Sequence, residues 1–438
     1  MVRRFPAVTG QGRWLTLVHD YLSLTELGYR AIVILNTVVV PVFGVCMSAM
    51  IVAVPKETFT GECRVALTPS RIGSLIKAGF EIRIEAGAGV AAGFADAAYQ
   101  QRQAVVVADR GSLLSAADVV LQVRTAGANP EFGHKDLAFM KPGAVIIGLA
   151  EPLVQRSAIE TFAQGKVVLL AMELIPRISR AQSMDALSSM ASLSGYKAVL
   201  MAVNELPRMC PMMMTAAGTI TPAKVLVIGA GVAGLQAVAT ARRLGAAVSA
   251  YDVRPAVKEQ ILSLGAKFVE LPLETKDSQT AGGYAKEQSA EQQHRQSELM
   301  ASVVRESDVV ISTAAIPGKK APVLVTAEMV RNMKSGAVIV DLAASTGGNC
   351  ELTKPGQTVE VGGVRIMGPV NLPSTLAYHA SELYSNNVSN LLLHLTKAGQ
   401  VVLDDKDQIT HDVLVTRDGQ VVNAGVRAAW GLPPSTPS

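Results

Sequence analysis

The run from Lys224 to Asp252, KVLVIGAGVAGLQAVATARRLGAAVSAYD, constrains the fold more than any other stretch of the chain. A short apolar β-branched segment, Lys224 to Ile228, leads into Gly229, Gly231 and Gly234 in G-x-G-x-x-G spacing, and Leu235 to Leu244 continues as an alanine-rich helix. Each glycine has its own task. Gly229 makes the tight turn, Gly231 lets backbone approach a pyrophosphate, and Gly234 lets the helix pack closely on the strand. The start of the helix then receives the anion. Asp252 ends the next strand, about where an acidic residue takes the ribose hydroxyls, and a glycine turn that served packing alone would not explain it. Because Asp252 would repel a 2′-phosphate, NAD(H) is favoured over NADP(H), a preference tempered by Arg254 two residues later.

A chain of 438 residues is long for one domain, and 49% apolar against 17% charged residues fits buried parallel sheets covered by alanine-rich helices. The net charge of +4 comes with no basic block and only 4% aromatic residues, which argues against nucleic acid as a partner. Cys46, Cys63, Cys210 and Cys350 lie far apart without C-x-x-C spacing. Neither a zinc site nor a disulfide framework is implied, and a reducing compartment fits.

Residues 1–49 read as a leader. Arg3, Arg4, Arg13 and Arg30 precede an uncharged run from Ala31 to Pro55, but its end, from Met50, reads as the first strand of a soluble domain. The main expectation is that translation starts at Met47 or Met50, or that the leader is unstructured. A signal peptide and a membrane anchor are the alternatives. From Ile51 strands alternate with helices, through strands at Glu81–Glu85, near Val105, at Val119–Val123, Val145–Leu149 and Val167–Ala171. The alternation predicts a doubly wound parallel sheet. Ser183 to Leu206 can run as one helix ended by Pro207, long enough to bridge two domains. Further strands are predicted at Lys267–Leu271, Val309–Thr313, Ala337–Asp341 and Val364–Met367, and the polar Pro272–Ser297 insertion reads as a mobile functional loop. A helix from Ser374 to Leu395 returns the chain to the first domain, and Asp418-Gly419 signals a small hairpin within Val413–Val422. The fold class is therefore α/β, with two doubly wound, parallel-sheet, Rossmann-like domains linked by long helices and a cleft between them. The predicted boundaries are residues 50–187 for the first domain, 188–377 for the dinucleotide domain, and 378–430 for the helix and tail that complete the first.

Arg177, Gln182, Asp185 and Ser188 are the densest polar set near the domain junction. Asp185 and Ser188, three apart, share a helix face, with Gln182 one turn earlier. The set could hold a carboxamide and position a ring, or it could be a capped, solvated helix start; spacing leaves both open. His19, His134, His294, His379, His394 and His411 show no metal spacing, no metal is expected, and no catalytic dyad is readable.

With these residues in view, the chain resembles the NAD(H)-binding domain I of proton-translocating NAD(P)+ transhydrogenase, in the form of a separate alpha chain, from Met50 to about Val426. The marks are Pro55-Lys56-Glu57 with Arg64-Val65-Ala66-Leu67-Thr68-Pro69, the run Pro176 to Asp185, Met212 to Gly218, the glycine turn, and Ala281 to Glu287. The resemblance implies that Arg177, Gln182 and Asp185 are the residues on which hydride transfer depends. Together with Ile178, Ser179, Ser183 and Ser188 they would contact the nicotinamide end of the nucleotide. It likewise implies that Gly229, Gly231, Val232 and Gly234 meet the nucleotide at the glycine turn and that Asp252, Val253 and Arg254 meet the adenosine half. Ala314 would line the same cleft, and Gly283 and Tyr284 would sit on a loop closing over it. One departure is Met190, where related chains often carry glutamine.

The rival is alanine dehydrogenase, which shares the architecture and the RVALTP segment. Its catalytic lysine aligns on Arg124, and the strand from Val145 to Pro152 holds no histidine, so the groups for amino-acid oxidation are missing. Direct hydride transfer between two nicotinamides needs proximity and no protein acid or base. The resemblance thus implies NAD(H) on this chain and NADP(H) on a partner beta subunit, with a separate membrane subunit carrying the proton. It further implies a homodimer, with no membrane span of its own, in the cytoplasm and peripheral on the inner face of the plasma membrane. A non-catalytic NAD-binding regulatory chain remains the reading from another class.

Overall fold

The computed structural model describes residues 33–35, 38–40, 49–270, 300–316 and 318–433. Residues Met1–Ala49 and Met50–Ser438 form separate compact units. In the first, Val33–Leu35 and Val38–Val40 pair as antiparallel strands, an element absent from the reading of the leader as unstructured. In the second, two sheets form two lobes.

The sheet of the first lobe runs Val105–Val107, Phe80–Glu85, Met50–Val54, Val119–Arg124, Val145–Leu149, Val168–Ala171, with each pair parallel. Counted along the chain this is the order 3-2-1-4-5-6 of a dinucleotide fold, in which the order reverses between strands 1 and 4. Strands such as Val145–Leu149 and Val168–Ala171 are apolar without alternation because helices cover both faces, and Leu121, Ile146, Ile147, Leu169 and Leu170 are fully buried. The C-terminal hairpin, Leu414–Arg417 with Gln420–Val421, extends this sheet by pairing antiparallel to Val168–Ala171. Its turn is Asp418-Gly419, with φ of 51° and 83°, the left-handed pair that a two-residue hairpin requires.

The second lobe repeats the order: Lys267–Phe268, Ala247–Tyr251, Lys224–Ile228, Val309–Ser312, Val338–Asp341, Val364–Met367, all parallel. A seventh strand, Thr358–Val361, joins the edge antiparallel to Val364–Met367 and was not predicted, because its TVEV pattern is short and half exposed. The predicted Pro272–Ser297 loop, with Gly283 and Tyr284, lies outside the described residues.

Two helices join the lobes. The bridging helix is Ala186–Glu205, three residues shorter at its start than predicted, because Asp185 caps it: the Ser188 N–H donates to Asp185 Oδ1 at 2.8 Å. Residues Ser179–Met184 form a separate 3₁₀ turn ahead of it. The bridging helix crosses the glycine-turn helix, Val232–Arg243, at backbone contact: a Cβ on Gly195 would lie 2.0 Å from the Ala233 carbonyl oxygen. The return helix is Ala377–His394, preceded by a 3₁₀ turn at Leu372–Leu376 where the sequence predicted continuous helix. Two of its hydroxyls, on Ser381 and Ser385, each accept at 3.0 Å from the backbone N–H groups of Val65 and Thr68, so the Arg64–Pro69 segment docks on one face of it. Tyr384, fully buried, donates to the Gln122 carbonyl at 2.7 Å.

Gly195→Ala is expected to lower stability by at least about 2 kcal/mol, because neither helix backbone can retreat from the overlap without repacking. The shift in urea midpoint measures it. A midpoint equal to the wild type would show that the helices slide apart at little cost.

Candidate functional site

The glycine turn performs three separate geometric tasks. Gly229 takes φ +91°, and its N–H donates to the Tyr251 carbonyl at 2.8 Å, joining the turn to the neighbouring strand. A Cβ at Gly234 would lie 1.8 Å from the Gly229 carbonyl oxygen, so only glycine lets the helix approach the strand end. A Cβ at Gly231 would meet no protein atom within 4 Å. That opening lies at the N-terminus of a twelve-residue helix, between strands 1 and 4 of the second sheet, where a pyrophosphate fits on geometric and electrostatic grounds.

Asp252 follows the second strand and is 8% exposed. Its Oδ2 accepts from the Ala230 N–H at 2.7 Å and from Arg254 Nη2 at 2.9 Å, and its Oδ1 accepts from the Arg254 N–H and Nε, both at 2.9 Å. About four acceptor positions are available on a carboxylate, so Arg254 occupies most of what a ribose would use. Bonding to Asp252 raises the Arg254 pKa further above its ordinary value, against the opposing effect of burial. Val253 is half-buried and packs at the edge of the apolar cluster around Leu226 and Ile228.

At the other end of the opening, a cavity of about 270 Å³ is lined by Pro176, Arg177, Ile178, Gln182, Asp185, Ser188 and Val232. The polar set near the domain junction therefore meets the glycine turn directly. Gln182 joins Asp185 and Ser188 from the 3₁₀ turn, not from an earlier turn of the same helix as the spacing had implied. The Ser188 hydroxyl donates to Asp185 Oδ2 at 2.5 Å, so capping and cavity lining are properties of the same pair. Ser179 and Ser183 are exposed and outside the lining; the Ser183 carbonyl accepts from the return helix. A larger cavity, about 400 Å³, lies among Ser70, Leu193, His379, Glu382, Leu383 and Asn386, and contains none of the polar set. Among the described residues no three His, Cys, Asp or Glu side chains gather as a metal set.

Several supporting residues carried no sequence signal. Asn349, fully buried, accepts from the Ala314 N–H at 2.9 Å and donates to the Ala314 carbonyl at 2.8 Å, fixing the loop after strand 4. Asp341, also fully buried, accepts from the N–H groups of Ala343, Asn349 and Cys350 and from the Thr353 hydroxyl at 2.7 to 3.0 Å. Thr313 Oγ1 donates to the Gly229 carbonyl at 2.9 Å and closes the gap between strands 1 and 4.

Two carboxyls in the first lobe are strongly shifted. Glu57 bridges the strand ends at that lobe's own switch point, accepting from the N–H of Val123 at 2.6 Å and of Arg124 at 3.1 Å. Burial, then the neighbouring Glu62, push its pKa to about 8 against those bonds. Glu173 precedes the cavity loop; its Oε1 accepts from the N–H groups of Ala150 and Glu151 at 2.7 Å, while Oε2 is sealed from solvent without a partner. Burial raises its pKa to about 7. Glu62 goes the other way: burial opposes it, but bonds from Arg64 and the charges of Arg64 and Arg124 hold it at about 2. Arg64, 3% exposed, spends Nε and Nη2 on Glu62, both at 2.7 Å.

Fold and site define a dinucleotide-binding protein of two Rossmann-like lobes with a polar loop at the ring end of the crevice. Family profiles agree: "Alanine dehydrogenase/PNT, N-terminal domain" matches residues 53–194 and the corresponding C-terminal domain matches residues 198–424. The separately encoded first portion of the NAD(P) transhydrogenase alpha subunit of Rhodospirillum rubrum is 47% identical over 377 residues, covering 85% of this chain and 98% of that protein. The crystal structure of transhydrogenase from Sinorhizobium meliloti superposes with a TM-score of 0.74 at 41% identity, over 86% of this chain and 99% of that one. Alanine dehydrogenase of Halomonas elongata is more distant, 29% identical over 87% of this chain and 97% of its own. The chain belongs to the NAD(P) transhydrogenase alpha-subunit family of nicotinamide-dependent oxidoreductases.

Asp252→Ala is expected to weaken NADH binding by about 1–2 kcal/mol and to move the preference toward NADPH, because the released Arg254 can meet a 2′-phosphate. Calorimetry with both nucleotides tests this; equal losses for the two would show that the pair does not discriminate. For Glu173, a folded pKa of about 7 against 4.5 unfolded means that the native state binds the extra proton between those values. Its contribution to stability is thus full below pH 4.5 and falls as pH rises through 7. Glu173→Gln keeps the oxygen that Ala150 and Glu151 use. It should flatten the loss of stability between pH 5 and 8 by about 1–3 kcal/mol after solvent screening, read from unfolding midpoints.

Proposed function

We propose that this chain is the NAD(H)-binding component of a proton-translocating transhydrogenase, presenting NADH for direct hydride transfer to NADP+ on a partner domain. The observation that carries the reading is the single cavity that brings Arg177, Ile178, Gln182, Asp185 and Ser188 to Val232 of the glycine turn. Nucleotide supplies the hydride; the chain supplies position. Asp252 and the helix start at Gly231 hold the adenosine and pyrophosphate portions, remote from the polar loop. Arg177, Gln182 and Asp185 fix the carboxamide and the tilt of the ring, and Ile178 and Val232 give it an apolar wall. No proton is exchanged with the protein during such a transfer, so the site needs orientation and shielding from water.

The same structure disfavours amino-acid oxidation. Arg64, the counterpart of a carboxylate-binding arginine in the rival reading, is buried and paired with Glu62. The proposed partners are an NADP(H)-binding beta subunit and a membrane subunit that carries the proton, with this chain peripheral on the cytoplasmic side. A homodimer is proposed as well, and the bridging helix supports it: the helix is apolar enough to pass for a membrane span by composition, yet only 33% of it is buried within the chain. A second copy would cover that face.

Mixing the purified chain with an NADP(H)-binding partner domain and following single-turnover hydride transfer tests the function, and a chain that binds NADH but never transfers would be a regulatory one. Arg177→Ala, Gln182→Ala and Asp185→Asn should each slow transfer by about a hundredfold, equivalent to roughly 2.7 kcal/mol of barrier, while the NADH dissociation constant moves only a few fold. Tenfold weaker binding with normal transfer at saturation would make the loop an affinity element.

A further inference from the structure

The cavity loop has a back as well as a front. Its 3₁₀ turn, Ser179–Met184, buries Ala181 and Met184 in the first-lobe core and turns Arg177 and Gln182 toward the cavity. A six-residue 3₁₀ turn has poor internal hydrogen bonding, so its orientation depends on what holds its outer side. Two features do so, and both come from far along the chain. The Ser183 carbonyl accepts from Asn387 Nδ2 at 3.0 Å and from Asn390 Nδ2 at 3.2 Å, one turn apart on the return helix. Asn390 is itself held by Arg71 Nη2, which donates to its Oδ1 at 2.7 Å. Arg180 Nη1, on the adjoining face, donates to Asp407 Oδ1 at 2.6 Å.

Asp407 is built to hold that arginine. Its Oδ2 accepts from the Thr410 N–H and hydroxyl, both at 2.9 Å, as the cap of the helix Gln408–Val413. His394, the last residue of the return helix, brings Nε2 to 2.9 Å from the same oxygen. Oδ1 is thereby left to face Arg180, and the carboxylate is locked to two elements of the first lobe before it reaches the loop.

We propose that Asp407 is a positioning residue for the nicotinamide loop, acting through Arg180 to hold Arg177 and Gln182 at the cavity. The inference rests on the proposed function of that loop. An ion pair with one partner half in solvent adds little to stability. Its effect on rate is larger, since a small displacement of reacting atoms is costly.

The test uses Arg180→Ala and Asp407→Asn, singly and together, in the full chain. Arg180 is 51% exposed, so its loss leaves the core intact, and asparagine at 407 retains the cap for the Thr410 N–H. Each single variant should slow single-turnover transfer to the NADP(H)-loaded partner domain about tenfold with the NADH dissociation constant within about twofold, and the double variant should be no slower than the slower single. In the chain alone, amide exchange over residues 179–184 should quicken about tenfold in both single variants. Arg180→Lys should recover part of the rate. Additive losses, equal losses in binding and rate, or unchanged exchange would each overturn the proposal. Exchange is read without a partner, so a wild-type chain that transfers no hydride would refute the functional reading and still leave the tether decided.

Discussion

Backbone contact between two helices decides where everything at the site stands. Gly195 on the bridging helix meets the Ala233 carbonyl, and Gly234, one residue further on, meets the Gly229 carbonyl, so helix, helix and strand are stacked with no side chain between them at either contact. Interiors packed this closely transmit displacement instead of absorbing it. The polar loop sits at the N-terminus of the bridging helix through the Asp185 cap, and the glycine turn sits at the N-terminus of the helix it crosses. Both ends of the proposed nucleotide site are therefore referenced to one crossing.

The second constraint is electrostatic, and it belongs to the first lobe. Both sheets have the same strand order and thus the same switch point, but only the second leaves its crevice to a ligand. In the first, Glu57 bridges the two strand ends, and next to it Glu62 gathers Arg64, Arg124, Asn371 and Ser374. Asn371 and Ser374 belong to the segment by which the chain leaves the second lobe. A buried ionised carboxylate with this many donors is tolerable where a lone one is not. The cluster so ties the RVALTP segment to the interlobe connection, and a side chain that binds substrate in a related enzyme class is used here for assembly.

How much of this was legible in the sequence follows from range. The glycine turn was readable in full because its three tasks are local, each dictated by backbone within six residues. The hairpin at Asp418-Gly419 was readable for the same reason. The long helices were readable in existence but not in their starts: Asp185 and Leu376 end 3₁₀ turns whose residues have ordinary helix propensities, so only a cap or a tertiary contact reveals the break. The edge strand Thr358–Val361 was missed because four half-exposed residues carry no apolar run. The grouping of Arg177, Gln182, Asp185 and Ser188 was visible as polarity near a junction, but spacing left a solvated helix start equally possible. What separates the two readings is Val232, some forty residues later in sequence, closing the same cavity. Asn349, Asp341 and Asp407 were invisible because each acts over a contact that no periodicity encodes.

The division of labour between the lobes bears on how such a site can be tuned. The groups proposed to confer affinity, the Gly231 opening and Asp252, stand on the second sheet. The groups proposed to orient the ring stand on a loop whose back is held by the return helix and the tail, both belonging to the first lobe. Substitutions behind the loop can then change ring geometry without touching the adenosine contacts, and substitutions around Asp252 can change selectivity without touching the ring. Only the helix crossing at Gly195 belongs to both. A site arranged this way separates holding a nucleotide from presenting it, which is the separation that a hydride donor needs if its acceptor arrives on another chain.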